Sequence, residues 1–154
     1  MRHIENEQHI FLNGEDVSEE IRLPEISMAA SAVSAVPEVR AALLDLQRDM
    51  AKTNNVIMDG RDIGTVVLPD ATVKIFLTAA PEIRAKRRYD ELCAKGVQTT
   101  FEEVLSDLNT RDYNDSHRET APLKQADDAV LADTSALDFD QSCELICNII
   151  KERL

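Results

Sequence analysis

The chain has 154 residues, which is long enough for a substantial core and predicts a single domain. Its 17 basic and 29 acidic residues give a formal net charge of −12 at pH 7, so it lacks the basic excess that binding to a nucleic acid backbone requires. The 44% hydrophobic and 30% charged fractions are typical of a globular protein and exclude a disordered chain.

No apolar run approaches the roughly 18–20 residues needed to span a bilayer, and the first seven residues hold no signal-peptide core. The three cysteines, Cys93, Cys143 and Cys147, form neither an even disulfide set nor a metal-binding pair. We expect a cytoplasmic protein with reduced thiols in or near its core, and neither nucleic acid nor membrane as a partner.

The first 54 residues predict a hairpin followed by two helices. Strand-like pieces flank Asn13-Gly14, a dipeptide that favours a two-residue turn. Pro24 precedes a helix of small residues, and Pro37 occupies the favoured first position of a second helix. That second helix carries apolar residues at helical spacing: Val39, Leu43, Leu46 and Met50. We interpret residues 1–54 as an open, helical flap.

Beyond residue 55, short apolar runs alternate with longer helical stretches, which predicts parallel strands covered by helices. The three predicted strands are 56–59, 73–77 and 129–133. The predicted helices are 81–95, stopped by Gly96, a helix from the capping box at Thr100 to about Asp115, and a last helix capped by Asp138. The fold class is therefore α/β, and Asp59, Thr78 and Asp133 mark the carboxyl edge of the sheet, where ligands bind in such folds.

Two charged clusters are the strongest candidates for chemistry. In Asp59-Gly60-Arg61-Asp62 a carboxylate could hold the water shell of Mg²⁺ and an arginine could fork onto a phosphate, although Asp-Gly is also a common turn. Four cations within residues 84–88 reverse the local sign of an acidic chain. They indicate either an anion site or a solvated helix surface balanced by neighbouring carboxylates.

A third charged stretch, residues 111–118, mixes arginines and carboxylates densely. Such a mixture could bind a ribose, a base and a phosphate together, or it could be a salt-bridged helix end. Ser31 and Arg40 flank the break between the two flap helices and gain interest only beside these clusters. The four glycines do not form a G-x-x-x-x-G-K-[ST] phosphate loop.

Four runs of this sequence, 12–18, 58–67, 73–77 and 118–123, closely resemble bacterial cytidylate kinases. The most specific is Asp-Gly-Arg-Asp-Ile-Gly-Thr-Val-Val at 59–67. The resemblance covers essentially the whole chain. It implies a nucleoside monophosphate kinase fold with a parallel sheet, a flap over residues 1–54, and a core over 55–154 with a short lid around 84–118. It also implies ATP-dependent phosphoryl transfer to CMP and dCMP.

The resemblance implies a role for each matching residue. Arg61 would bind the acceptor phosphate, and Arg111 and Asp115 would hold the sugar and phosphate side. Asp59 would orient the hydration shell of Mg²⁺. The cytosine would be recognised by Ser31, Arg40, Asp62 and Arg118, the donor phosphates would be reached by Arg84 and Arg88, and the adenine would lie beside Thr134 and Ser135.

The family also begins with a strand and a phosphate loop that this sequence does not match, so we expect an incomplete member whose own transfer activity is impaired. Three hypotheses stay open: a CMP kinase whose phosphate loop is supplied elsewhere, a catalytically inactive CMP-binding remnant, and an acidic α/β interaction module. An incomplete sheet would leave an exposed edge open to self-association or complementation.

Overall fold

The computed structural model describes residues 2–5 and 7–154 and begins with two antiparallel hairpins. Strand β1 (Arg2–Ile4) pairs with β2 (Glu7–His9), and β3 (Phe11–Leu12) pairs with β4 (Glu15–Asp16). Asn13 and Gly14 connect the second pair with φ values of 53° and 94°, as a two-residue hairpin turn requires. The hairpin predicted at this dipeptide is confirmed.

The two helices predicted within residues 1–54 are also confirmed. Helix α1 (Pro24–Ser34) follows a 3-10 turn at Glu20–Arg22, and α2 (Pro37–Thr53) begins shortly after α1 ends. Each has a proline in its first turn, where the missing N–H costs no hydrogen bond. Among the described residues no single helix is long and apolar enough to cross a membrane, although α1 and α2, bent by 94°, pass that test together by length and composition.

A two-stranded parallel sheet lies in the second half of the chain. Strand β5 (Ile75–Thr78) pairs with β6 (Val130–Asp133), from Ile75 opposite Val130 to Thr78 opposite Asp133. Helices α3 (Pro81–Ala94) and α4 (Phe101–His117) connect the strands, and α5 (Phe139–Arg153) follows β6. Helices and parallel strands confirm the α/β class.

Local signals set the ends of these helices as expected. Gly96 takes a φ of 75° just after α3, a conformation that glycine adopts without strain. Thr100 and Glu103 form a reciprocal capping box at the start of α4, and Asp138 and Gln141 form another at α5. Both caps satisfy N–H groups that the first helical turn leaves unpaired.

The strand predicted at 56–59 is wrong. This segment has no regular structure and pairs with no strand in the described part of the chain, and Ile57 is 97% exposed. An apolar run becomes a strand only when a neighbouring backbone supplies hydrogen bonds, and the run itself does not encode that partner. The described sheet therefore has two strands where three were expected.

The buried core lies largely between α3 and α4, where Ala85, Leu92 and Val104 pack together. Ala79 and Ala132, at the ends of β5 and β6, are also buried. The three cysteines are exposed, so the expectation of core or near-core thiols is wrong. Helix α1 packs against α2 and α4, and this packing brings the first two helices to the charged residues at 111–118.

Candidate functional site

Asp62 is the first of two buried carboxylates that organise the charged cluster. It is 8% exposed and caps a short π-helical segment, Ile63–Val67, in which the N–H groups of Thr65, Val66 and Val67 all donate to its carbonyl oxygen. The Asp62 carboxylate forms an ion pair with Arg40 of α2. Arg118 lies 3.8 Å from its other oxygen. The flap helix is thereby tied to the segment that follows Arg61.

Asp115, in the last turn of α4, is the second buried carboxylate, and it is 3% exposed. Ser31 Oγ donates to its Oδ1 at 3.0 Å, and Arg61 Nε donates to its Oδ2 at 3.1 Å. Arg111 Nε and Arg118 Nη1 each lie 3.8 Å from a carboxylate oxygen of Asp115. One carboxylate therefore collects side chains from α1, from α4 and from the 59–62 segment.

The cluster carries more positive than negative charge. Four guanidinium groups surround two carboxylates, which leaves an excess of two positive charges: Arg40, Arg61, Arg111 and Arg118 against Asp62 and Asp115. The pKa of the Arg111 guanidinium is lowered, mainly by burial and secondly by repulsion from Arg61. The pKa of the Arg118 guanidinium is also lowered, mainly by burial and secondly by repulsion from Arg40. A cluster that retains unbalanced positive charge in a chain of net charge −12 is suited to an anionic ligand.

One buried donor in the cluster stands out. Among the buried side-chain nitrogen and oxygen atoms of the described residues, Arg111 Nε lacks a hydrogen-bond partner. A buried donor left unpaired costs free energy, and functional sites are one place where such atoms occur. The unpaired nitrogen lies in the region of excess positive charge, beside Asp115 and Arg61.

Arg84 and Arg88 of α3 contact different parts of the chain. Arg84 forms an ion pair with Asp112 of α4 at 2.7 Å and donates to Ala79 O. Arg88 pairs with Glu91 at 2.8 Å, lowers the pKa of that carboxyl, and donates to the carbonyl of Arg22 in the flap. Arg88 is also close enough to Arg111 to lower its pKa. Lys86 pairs with Asp90 and Arg88 with Glu91, as expected for a helix surface balanced by neighbouring carboxylates, and the anion site at 84–88 stays a prediction.

Thr134 and Ser135, the residues expected beside the adenine, lie in the loop that follows β6. Thr134 is buried, and its hydroxyl donates to Thr78 O at 3.1 Å. Ser135 Oγ donates to Asp133 and accepts a hydrogen bond from the Ala80 N–H. The Thr134 hydroxyl thus fastens the loop to the end of β5, and the Ser135 hydroxyl fastens it to the residue that precedes α3. Asp59 is exposed, and no group of three or more His, Cys, Asp or Glu side chains among the described residues could hold a metal ion.

Three residues that the sequence analysis did not single out as site residues support this arrangement. Ser34 accepts from Arg118 at 3.3 Å, and its carbonyl accepts from Arg40 at 2.9 Å. Arg48 donates to the carbonyls of the π-helical segment. Arg87 donates to Thr134 O at 2.7 Å and to Leu137 O at 2.9 Å. All three act on or through backbone carbonyls, which have no signature in a sequence.

The fold and the cluster define an α/β protein in which arginines from several elements surround two buried carboxylates. A family model described as cytidylate kinase matches residues 2–152. Named cytidylate kinases from Thermosipho melanesiensis and Fervidobacterium nodosum are 52% and 50% identical over 94% and 93% of this chain, and one from Clostridium botulinum is 50% identical over 95%. The chain spans about two thirds of the length of these relatives, 67%, 65% and 67%. This chain belongs to the cytidylate kinase family.

Proposed function

We propose that this protein is a cytoplasmic CMP kinase, in which the cluster around Asp62 and Asp115 binds CMP or dCMP as the phosphoryl acceptor and ATP is the donor. The observation that carries the proposal is the excess of two positive charges around the two buried carboxylates, together with the unpaired Arg111 Nε. A phosphate monoester carries close to two negative charges at neutral pH and offers three strong acceptor oxygens. Its charge and its acceptors match what the cluster lacks.

On the acceptor side, Arg61 and Arg111 would hold the phosphate. Arg61 now donates to Asp115, and Arg111 Nε is free to donate. Asp115 would bind the sugar hydroxyls. Arginine is suited to this task because its planar donors match phosphate oxygens in pairs.

The base would lie beside Asp62. A carboxylate accepts hydrogen bonds, and the exocyclic amino group of cytosine donates them, whereas uracil presents a carbonyl at the same place. Ser31, Arg40 and Arg118 surround the two carboxylates and would complete the contacts to the cytosine edge. This arrangement favours CMP and dCMP over UMP.

On the donor side, Arg84 and Arg88 would approach the transferred phosphoryl group, and the 133–137 loop would lie beside the adenine. Because the hydroxyls of Thr134 and Ser135 already have partners, we expect the backbone of the loop to make that contact. The exposed carboxylate of Asp59 fits the mode in which Mg²⁺ keeps most of its waters and is held by one carboxylate and the substrate phosphates. Phosphoryl transfer depends mainly on positioning and charge stabilisation, which arginines and Mg²⁺ supply.

The experiment that tests the proposal is a calorimetric titration of the chain with CMP, followed by a coupled ATP-to-CMP transfer assay. Arg61→Gln and Arg111→Gln should each weaken CMP binding at least about tenfold, since each removes a charged donor from the phosphate, and tenfold corresponds to about 1.4 kcal/mol. Lys86→Gln, which removes a cation on the exposed face of α3, is the matched control and should bind like the wild type. Binding that survives both arginine substitutions would refute this acceptor site.

A further inference from the structure

Arg48 of α2 donates hydrogen bonds to the backbone of the segment that follows Asp62, the carboxylate proposed to bind the base. Its Nη2 donates to Val66 O at 2.8 Å and its Nε to Val67 O at 3.1 Å. These carbonyls end the π-helical segment Ile63–Val67, where a helix leaves its last acceptors without partners inside the helix. Arg48 therefore caps that segment with two charge-assisted hydrogen bonds.

The opposite end of the same segment is held by the same helix. Arg40, which precedes Arg48 by two turns in α2, forms the ion pair with Asp62, the residue that caps the segment at its start. Helix α2 thus holds the short segment at both ends. Arg40 pairs with the Asp62 side chain, and Arg48 donates to the backbone carbonyls of Val66 and Val67. The attachment at Val66 and Val67 restrains the end of the segment that lies away from the Arg40–Asp62 pair.

We propose that Arg48 is a positioning residue for nucleobase recognition, fixing the orientation in which the Asp62 carboxylate meets the cytosine edge. The inference rests on the proposed function, because it assumes that Asp62 binds the base. The described hydrogen bonds of Arg48 go to the 63–67 segment, so its influence on Asp62 passes through that segment. The N–H groups of Thr65, Val66 and Val67 all donate to Asp62 O, so a shift at the end of the segment is transmitted to Asp62 itself.

The two hydrogen bonds from Arg48 to Val66 O and Val67 O form a clamp, and the loss of this clamp should change the affinity for CMP by a measurable factor. Apparent affinity falls in proportion to the fraction of molecules that hold the binding-competent conformation. If Asp62 is correctly oriented in about one tenth of the molecules once Arg48 is removed, the Kd for CMP rises about tenfold. A lysine keeps the positive charge but lacks the planar fork that matches the two carbonyls, so Arg48→Lys should give an intermediate rise of about threefold.

The test compares Arg48→Gln, Arg48→Lys and the wild type in titrations with CMP and with UMP. Lys52→Gln is the matched control, because Lys52 lies one turn further along α2 and pairs with exposed Asp49. A positioning role predicts that the CMP affinity falls while the UMP affinity changes less, so that the preference for CMP narrows. General damage to the fold would weaken both nucleotides by the same factor and would overturn the proposal. If Arg48→Gln does not fold, the lysine variant carries the comparison.

Hydrogen exchange of the unliganded protein gives a readout that does not depend on nucleotide binding. The amides of Val66 and Val67, which donate to Asp62 O, should exchange faster in Arg48→Gln than in Lys52→Gln. Unchanged exchange at these amides refutes the clamp even if CMP binds as proposed. Faster exchange, together with a wild type that does not bind CMP, would retain the clamp but refute the role in base recognition along with the proposed function.

Discussion

Replacement of Asp115 by asparagine should destabilise the protein substantially, because this buried carboxylate is the negative charge that three guanidinium groups share. The asparagine side chain could still accept a hydrogen bond, but the charge that balances Arg61, Arg111 and Arg118 would be lost. Breaking a buried ion pair costs about 3–5 kcal/mol. The side chains of Arg61 and Arg111 are 36% and 34% exposed, so solvent screens part of the effect, and we expect the lower end, about 3 kcal/mol.

Urea denaturation followed by circular dichroism would measure this loss, and the thermal midpoint should fall by about 6–12 °C for a chain of this size. The matched control is Asp49→Asn, since Asp49 is an exposed carboxylate paired with Lys52, and its loss should cost less than about 0.5 kcal/mol. Added inorganic phosphate should stabilise both the wild type and Asp49→Asn, because both keep Arg61 and Arg111 in place. An Asp115→Asn variant as stable as Asp49→Asn would refute the view that Asp115 organises the cluster.

Three further predictions concern other parts of the molecule. Arg87→Gln removes two hydrogen bonds to the carbonyls of Thr134 and Leu137, so the amide of Leu137 should exchange faster and the free energy of unfolding should fall by about 1–2 kcal/mol. Hydrogen bonds from Ser18 and His9 lower the pKa of Asp16 from 3.8 to about 2, so its carboxylate stabilises the fold above pH 3.8 and that contribution is lost as the pH falls towards 2. The stability difference between wild type and Asp16→Asn should therefore shrink over this range, and a constant difference would contradict it. Gly60→Ala places a Cβ 2.8 Å from Ile63 Cγ1, so it should displace the start of the π-helical segment and weaken CMP binding in a titration.

The sequence was most informative where the signal was local. Both capping boxes, the glycine after α3 and the Asn-Gly turn use side chains and φ preferences that act within a few residues, and each lies where it was predicted. The run at 56–59 fails for the opposite reason, because a strand depends on a neighbour that lies elsewhere in the chain. Apolar character alone does not supply that neighbour.

The cluster itself could be named residue by residue from the family resemblance, but its geometry could not be predicted. Ser31 meets Asp115 across 84 positions of sequence, a distance over which spacing carries no information. The supporting contacts of Ser34, Arg48 and Arg87 were missed because their partners are mainly backbone carbonyls, which every residue has. Such contacts become visible only when the chain is folded.

The most direct test of the central claim is competition between CMP and AMP for the unmodified chain, measured by calorimetry. If the cluster around Asp62 and Asp115 is a cytidine monophosphate site, CMP binds with one site per chain and AMP displaces it only at much higher concentration. Equal affinity for the two nucleotides would show that the cluster binds the phosphate without distinguishing cytosine from adenine. The absence of any CMP binding would contradict the assignment of the site altogether.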